Sequence, residues 1–197
     1  MTTPDPGPTP SPASEPAPGA VSVRAEGVGA SAGRVAWVGA DGRTLSARCR
    51  LGRGGVVAAD AKREGDGATP AGRWPLRRLY YRADRLTRPE TALATTALDQ
   101  LWSWCDAPDH PAYNRRLDTP PAASHERLWR SDRRYDLIVP LGYNDDPPLP
   151  GRGSAIFLHL TDTPDRPTAG CVAMDRDDLL ALLAALTPAS MMVIDAP

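Results

Sequence analysis

Two residues in the stretch AIFLHLTDTPDRPTAGCVA, residues 155–173, have side chains suited to covalent catalysis: His159 and, twelve residues later, Cys171. A thiol is only a few per cent thiolate at neutral pH unless its surroundings help. An imidazole within hydrogen-bond reach supplies that help by taking the proton and later returning it to a leaving amine. Ala169 and Gly170 fit a tight loop before the cysteine. Such a loop aims backbone N–H groups at a developing oxyanion, and Gly170 permits close approach of substrate. From residue types alone a second reading stands beside this one. Free cysteine is among the most buried residue types, and a strand histidine is commonly structural.

The remaining candidates divide in the same way. Cys105, in WCDAPDH with His110 close by, is a rival nucleophile, but it lacks a flanking glycine and its Trp neighbours suggest packing. Cys49 lies in an alternating strand and reads as core. Asn144 and Asp145, in GYNDD, bind a peptide amine or cap a turn. Arg166 holds a substrate carboxylate bidentately or is a solvated loop residue. Glu126 and Trp129, in SHERLW, line a peptide groove or pin a long loop. His125 in the same stretch is by default an exposed loop residue. Three histidines without HxxxH or HExxH spacing give no metal site.

Positioning these groups requires a scaffold, and the pattern predicts a mainly-β one with minor α. VSVRA, RVAWVG and TLSARCRL read as strands, with the Asp-Gly turn of ADGR joining the second to the third. KREGDGATPAGRWPL reads as a long ordered loop. Residues 99–135 show little periodicity yet hold three of the five tryptophans, which marks an irregular functional segment. YDLIVPLGYN and SAIFLHL read as core strands; in the second, Ile156, Leu158 and Leu160 alternate with Phe157, His159 and Thr161. MDRDDLLALLAALTP is a helix with Asp175, Asp177 and Asp178 at its positive end and Pro188 after it. MMVIDA closes the sheet.

Composition bounds the rest. The 197 residues suffice for one domain with a core, and 41% hydrophobic and 24% charged residues are ordinary for a globular protein. A formal net charge of -1 gives no reason to expect nucleic acid or an anionic membrane as partner. Three cysteines without metal spacing argue against a disulfide framework. No apolar run reaches the length of a membrane span. Residues 1–20, with seven prolines in the first eighteen, read as a disordered or polyproline-like tail, leaving 21–197 as the catalytic domain. The tail carries neither the basic nor the apolar region of a secretory signal, which favours the cytoplasm.

IFLHL…TAGCVAM resembles the active-site segment of the L,D-transpeptidase (YkuD) family. That family has an upstream His followed by [S/T]-H-G-C, and Thr168, Gly170 and Cys171 match the second block while His159 matches the first. Lys62, Gly65, Gly67, Thr69, Pro70, Gly72 and Trp74 match an earlier K-x-G-x-x-T-P-x-G-x-[FW] block, in the expected order and about 100 residues upstream. GYNDDPPLPGRGSAIFLH and SHERLW resemble a proteobacterial branch. The departures are Ala169 for the second His, Ala173 for an Asn or Arg, and a shortened interval between His159 and Thr168.

The resemblance implies a YkuD-like β-sandwich with a C-terminal helix and closing strand. It implies peptidoglycan stem peptides as partners and no cofactor. Cys171 becomes the nucleophile, His159 the general base and acid, and Gly170 the oxyanion backbone. Thr168 joins Asn144, Asp145, Arg166, Glu126 and Trp129 as substrate-binding candidates. The expected activity is cross-linking of stem peptides through a thioacyl-enzyme. The alternatives are an L,D-carboxypeptidase or endopeptidase, a cytoplasmic muropeptide amidase, and a non-catalytic module that binds wall peptide. Wall chemistry places the protein in the periplasm, against the signal-free tail. A monomer is the default.

Overall fold

The first three strands form because β-branched and aromatic residues alternate with polar ones. In the computed structural model, which describes residues 19–39, 41–162 and 166–196, β1 spans Ala20–Ala25, β2 Ala32–Val38 and β3 Thr44–Arg50. Val21, Val23, Val35, Trp37, Ala47 and Cys49 turn inward while Arg24, Arg34 and Arg48 face solvent. That period of two defines a half-buried antiparallel meander. The N–H of Gly39 bonds the Arg43 carbonyl at 2.8 Å, closing the hairpin expected at the Asp-Gly turn. β1 begins one residue before the expected Val21, and residues 1–18 of the proline-rich tail lie outside the described residues.

The chain continues through β4 (Val56–Val57), β5 (Thr69–Pro70), β6 (Gly72–Pro75), β7 (Arg78–Tyr81) and β8 (Ala94–Ala97). Then come β9 (Ser103–Cys105), β10 (Arg116–Leu117), β11 (His125–Arg127), a 3-10 turn at Arg134–Asp136 and β12 (Leu137–Pro140). The last elements are β13 (Phe157–Leu160), β14 (Val172–Met174), helix α1 (Arg176–Ala185) and β15 (Met191–Ile194). Ten strands form one sheet in the order β6-β15-β1-β2-β3-β14-β13-β12-β7-β8. Helix α1 touches both β2 and β13, which are separated by two strands, so the sheet curls around it. Leu179, Leu182 and Leu183 of α1 are fully buried in the core this encloses, with Val23, Val35, Leu158, Val172 and Met192. Asp177 and Asp178 occupy the first turn of α1, where the helix dipole favours them.

The other face of β12 and β13 carries a second cluster: Tyr80, Leu98, Leu128, Tyr135, Ile138, Phe157 and Cys171. Residues 99–135 cover this face. They are more regular than their sequence suggests, because β9, β10 and β11 form a three-stranded sheet. Strands of two and three residues are too short to show periodicity. The tryptophans join this small sheet to the large one. Trp104 meets Phe157 edge-on with ring centroids 5.0 Å apart, and Trp102 meets Tyr80 at 5.5 Å. The architecture is the mainly-β sandwich with a C-terminal helix and closing strand that the sequence resemblance implies.

Candidate active site

β13 and β14 run side by side and parallel, pairing Leu158 with Val172 and His159 with Ala173. Because side chains alternate along a strand, Leu158 and Val172 enter the main core. Phe157, His159, Cys171 and Ala173 therefore share the opposite face. There His159, Cys171 and Ala173 border a cleft of about 270 Å³ whose lining also includes Ala169, Tyr135 and Glu126. Apolar alternation in one strand thus places the imidazole, and the parallel partner brings the thiol to the same wall.

Both groups are nearly inaccessible, with Cys171 7% and His159 4% exposed. Burial pushes the Cys171 thiol up to about 12, the Phe157 N–H draws it down, and Glu126 raises it further. Burial pushes His159 down to about 4, the bond to Leu160 opposes that shift, and Arg134 and Arg130 add to it. At neutral pH the pair is accordingly a thiol and a neutral imidazole rather than an ion pair. His159 Nδ1 lies 2.8 Å from the Leu160 carbonyl oxygen. A carbonyl only accepts, so Nδ1 carries the proton and Nε2 presents its lone pair as a base. The thiol donates to the Ala155 carbonyl at 3.2 Å, and its sulfur accepts the Phe157 N–H at 3.4 Å.

The loop before Cys171 is fastened from three sides. Thr168 Oγ1 donates to the Cys171 carbonyl at 2.7 Å and accepts the Gly170 N–H at 3.1 Å. The backbone of Thr168 bonds Leu51 and Arg53 at 2.9 Å each. Gly170 has φ +137° and packs on Ala68, in the middle of the upstream Gly/Thr/Pro block. Within that block, Thr69 is fully buried and its hydroxyl accepts the Gly52 N–H at 2.8 Å. The two sequence blocks are therefore one structural unit, with the upstream segment serving as the bed for the loop that carries Cys171.

This geometry sits on a chain that matches the YkuD L,D-transpeptidase catalytic domain over residues 28–194. The chain belongs to the YkuD family. No curated protein and no solved structure gives a significant match to it. It is thus an L,D-transpeptidase-family catalytic domain that acts on peptidoglycan peptides, and no helix among the described residues is long and apolar enough to cross a membrane.

Within this YkuD domain the sequence candidates separate. Glu126, Arg166 and Thr168 border the cleft with Cys171 and His159. The Thr168 hydroxyl is, however, fully engaged inside its own loop. The Gly170 N–H is engaged by that hydroxyl too, so it is not the free oxyanion donor expected of it. Asn144 and Asp145 are not part of the cleft wall. The Asn144 amide ties Leu149 and Gly153, and the Asp145 carboxylate pairs with Arg77 at 3.1 Å. Trp129 stacks beneath the Arg82 guanidinium, 3.6 Å from ring centroid to carbon, and pins the loop. Arg166 lies 3.7 Å from Asp162, which also pairs with Arg134 at 3.0 Å. Cys105 is fully buried in β9, as packing predicted. Among the described residues no group of three His, Cys, Asp or Glu side chains is placed to hold a metal ion.

Several residues in the cleft and behind it carried no sequence signal. The Tyr135 ring meets the His159 ring edge-on at 5.2 Å, and its hydroxyl donates to Glu126 at 3.4 Å. Burial holds the Glu126 carboxyl above the usual carboxylate range. Elsewhere in the lining, Lys62 donates to Asp66 at 2.6 Å, while Glu64 accepts from Tyr113 at 2.5 Å and Ser154 at 2.7 Å. Lys62 and the neighbouring glycines belonged to the recognised block. Tyr135, Tyr113 and Ser154 have neither a motif nor a period to mark them.

Proposed function

We propose that this domain cross-links peptidoglycan stem peptides through a thioester on Cys171. The observation that carries the reading is the His159 ring. It is oriented by the Leu160 carbonyl and turned to the same cleft face as the Cys171 thiol. His159 Nε2 takes the thiol proton as Sγ attacks a carbonyl carbon of the donor stem. The tetrahedral oxyanion rests against backbone N–H at Cys171, the position the loop leaves for it once Gly170 is tied to Thr168. The C–N bond then breaks, His159 returns its proton to the departing amine, and a thioacyl-enzyme remains. The side-chain amine of a second stem, of the diaminopimelate type, attacks the thioester. It loses a proton to His159, and the thiol is regenerated.

Glu126 is the cleft carboxylate suited to receive the acceptor ammonium, and Arg166 is the cation suited to a stem carboxylate. A wall substrate places the site of action in the periplasm. Incubation of purified muropeptides with wild type and Cys171→Ala, followed by mass spectrometry, tests the proposal. Dimeric muropeptides that require Cys171 support it. Trimmed monomers alone point instead to a hydrolase, and unchanged muropeptides refute both activities.

A further inference from the structure

Three non-glycine residues among those described have a left-handed backbone: Asn114 at φ +54°, Asn144 at +47° and Ala155 at +52°. They lie far apart in sequence, yet they meet at one point. The Asn114 side chain is 3% exposed and uses all four of its hydrogen-bonding positions. Its Oδ1 accepts from Trp104 Nε1 at 2.8 Å and from the Ala155 N–H at 3.1 Å. Its Nδ2 donates to the carbonyls of Tyr143 at 3.1 Å and Asn144 at 2.7 Å. Asn144 in turn ties Leu149 and Gly153 with its own amide. Left-handed conformations are disfavoured for residues with a Cβ and persist where the surroundings over-determine them, commonly near reacting groups. Ala155 is the least suited of the three, because it has no polar side chain to bond locally.

What this knot supports is the nucleophile. The carbonyl of Ala155 accepts the Cys171 thiol at 3.2 Å. Two residues on, the Phe157 N–H bonds the same sulfur, and the Phe157 ring packs on Trp104, which Asn114 also holds. The thiol therefore lies between two backbone groups of one segment, and a single buried amide fixes where that segment begins. A carbonyl acceptor favours the protonated thiol and engages its hydrogen.

We propose that Asn114 is a positioning residue for Cys171: by bonding the Ala155 N–H it holds Ala155 left-handed, so that the Ala155 carbonyl parks the thiol proton and fixes the sulfur against the cleft. This rests on the reading of Cys171 as the nucleophile, but its test does not need turnover. The readout is the pH dependence of Cys171 alkylation by iodoacetamide, followed by peptide mass spectrometry so that Cys49 and Cys105 are scored separately.

The variants are Asn114→Ala, Ala155→Val, Ala155→Gly and Trp104→Phe. In Asn114→Ala and Ala155→Val the carbonyl swings away. Alkylation of Cys171 then becomes faster, with its midpoint at lower pH, while Cys105, buried beside the knot and bonded to the Asn114 backbone, stays protected. Where muropeptide turnover is measured, kcat falls about tenfold or more with KM little changed, as expected for a misplaced nucleophile. Ala155→Gly, which adopts the left-handed conformation freely, keeps the wild-type profile. Trp104→Phe removes one N–H, keeps a ring against Phe157, and gives a smaller shift in the same direction; it decides the matter if the harsher variants do not fold. A wild-type midpoint in every folded one of Asn114→Ala, Ala155→Val and Trp104→Phe overturns the proposal. So does labelling of Cys105 in step with Cys171, which would mean loosening rather than positioning. The expected profile changes in a protein whose wild type forms no cross-links would count against the proposed function and leave this inference standing, since alkylation needs no substrate.

Discussion

A Cβ on Gly170 would stand 2.8 Å from the carbonyl oxygen of Ala68. This contact joins the nucleophile loop to the upstream block, and backbone rather than a flexible side chain is what Gly170 meets. Its φ of +137° is also one that only glycine adopts readily. Gly170→Ala should therefore displace the loop carrying Cys171. Turnover is expected to fall on the order of 100-fold for a shift of about 1 Å, with a stability loss of about 1–3 kcal/mol. Muropeptide dimer formation and thermal unfolding measure the two effects. Wild-type turnover in Gly170→Ala would remove the loop–bed contact from the account.

The Thr168 hydroxyl bridges the Gly170 N–H and the Cys171 carbonyl, so it closes the turn on which the nucleophile stands. Thr168→Val keeps the shape and deletes both bonds, leaving two polar groups without that partner. A cost of about 1–3 kcal/mol follows, with kcat lowered and KM little affected. Thr168→Ser retains the hydroxyl and should restore most of the activity. If Thr168 bound substrate directly, the Val variant would instead raise KM.

These two contacts show why the sequence was legible where it was. Cys171 and His159 stood out as candidates because covalent chemistry needs particular residue types, and strand alternation placed His159 on the opposite face from Leu158. The Gly/Thr/Pro block was visible because glycine at Gly67 and Gly72 answers backbone constraints of positive φ and close approach, as Gly170 does in the loop before Cys171. Asn144 misled because a polar residue in a turn looks the same whether it binds a ligand or its own backbone. Tyr135 and Asn114 were silent for a different reason. Their partners are brought together by tertiary packing, Tyr135 with His159 and Glu126, Asn114 with Ala155 and Trp104. No local period encodes such meetings.

The buried titratable groups set a stability window in pH. His159 ionises at about 4 in the native protein against 6.5 ordinarily, so between those values the unfolded chain binds more protons. Stability is full above about 6.5 and falls as pH drops toward 4, by on the order of 3 kcal/mol from this residue. The thiols of Cys171 and Cys49 ionise at about 12 against 9.0 ordinarily. Between those values the unfolded chain has lost protons that the native one keeps, so stability falls again above about 9. Melting temperature should therefore plateau between roughly pH 6.5 and 9. His159→Gln should flatten part of the acid limb and Cys171→Ala part of the alkaline limb. A limb unchanged by its variant would show that the residue does not set it.

Glu126 stands in the cleft as a carboxyl that burial disfavours charging and Tyr135 partly satisfies. An incoming ammonium would supply the counter-charge it lacks, and the acceptor amine is the ammonium the proposed reaction brings. Glu126→Gln preserves size and hydrogen-bonding reach while removing the charge. Loss of one charge-assisted bond corresponds to about a tenfold or greater weakening of acceptor binding. Formation of the thioester does not require that bond. The variant should therefore still release the donor's leaving group, with product shifting from dimers to hydrolysed stems as water captures the thioester. Removing the carboxylate also removes one influence that raises the Cys171 thiol, so the midpoint of Cys171 alkylation should move to lower pH. An unaltered dimer-to-monomer ratio together with the expected alkylation shift would leave Glu126 acting on the nucleophile alone, with the acceptor amine held elsewhere.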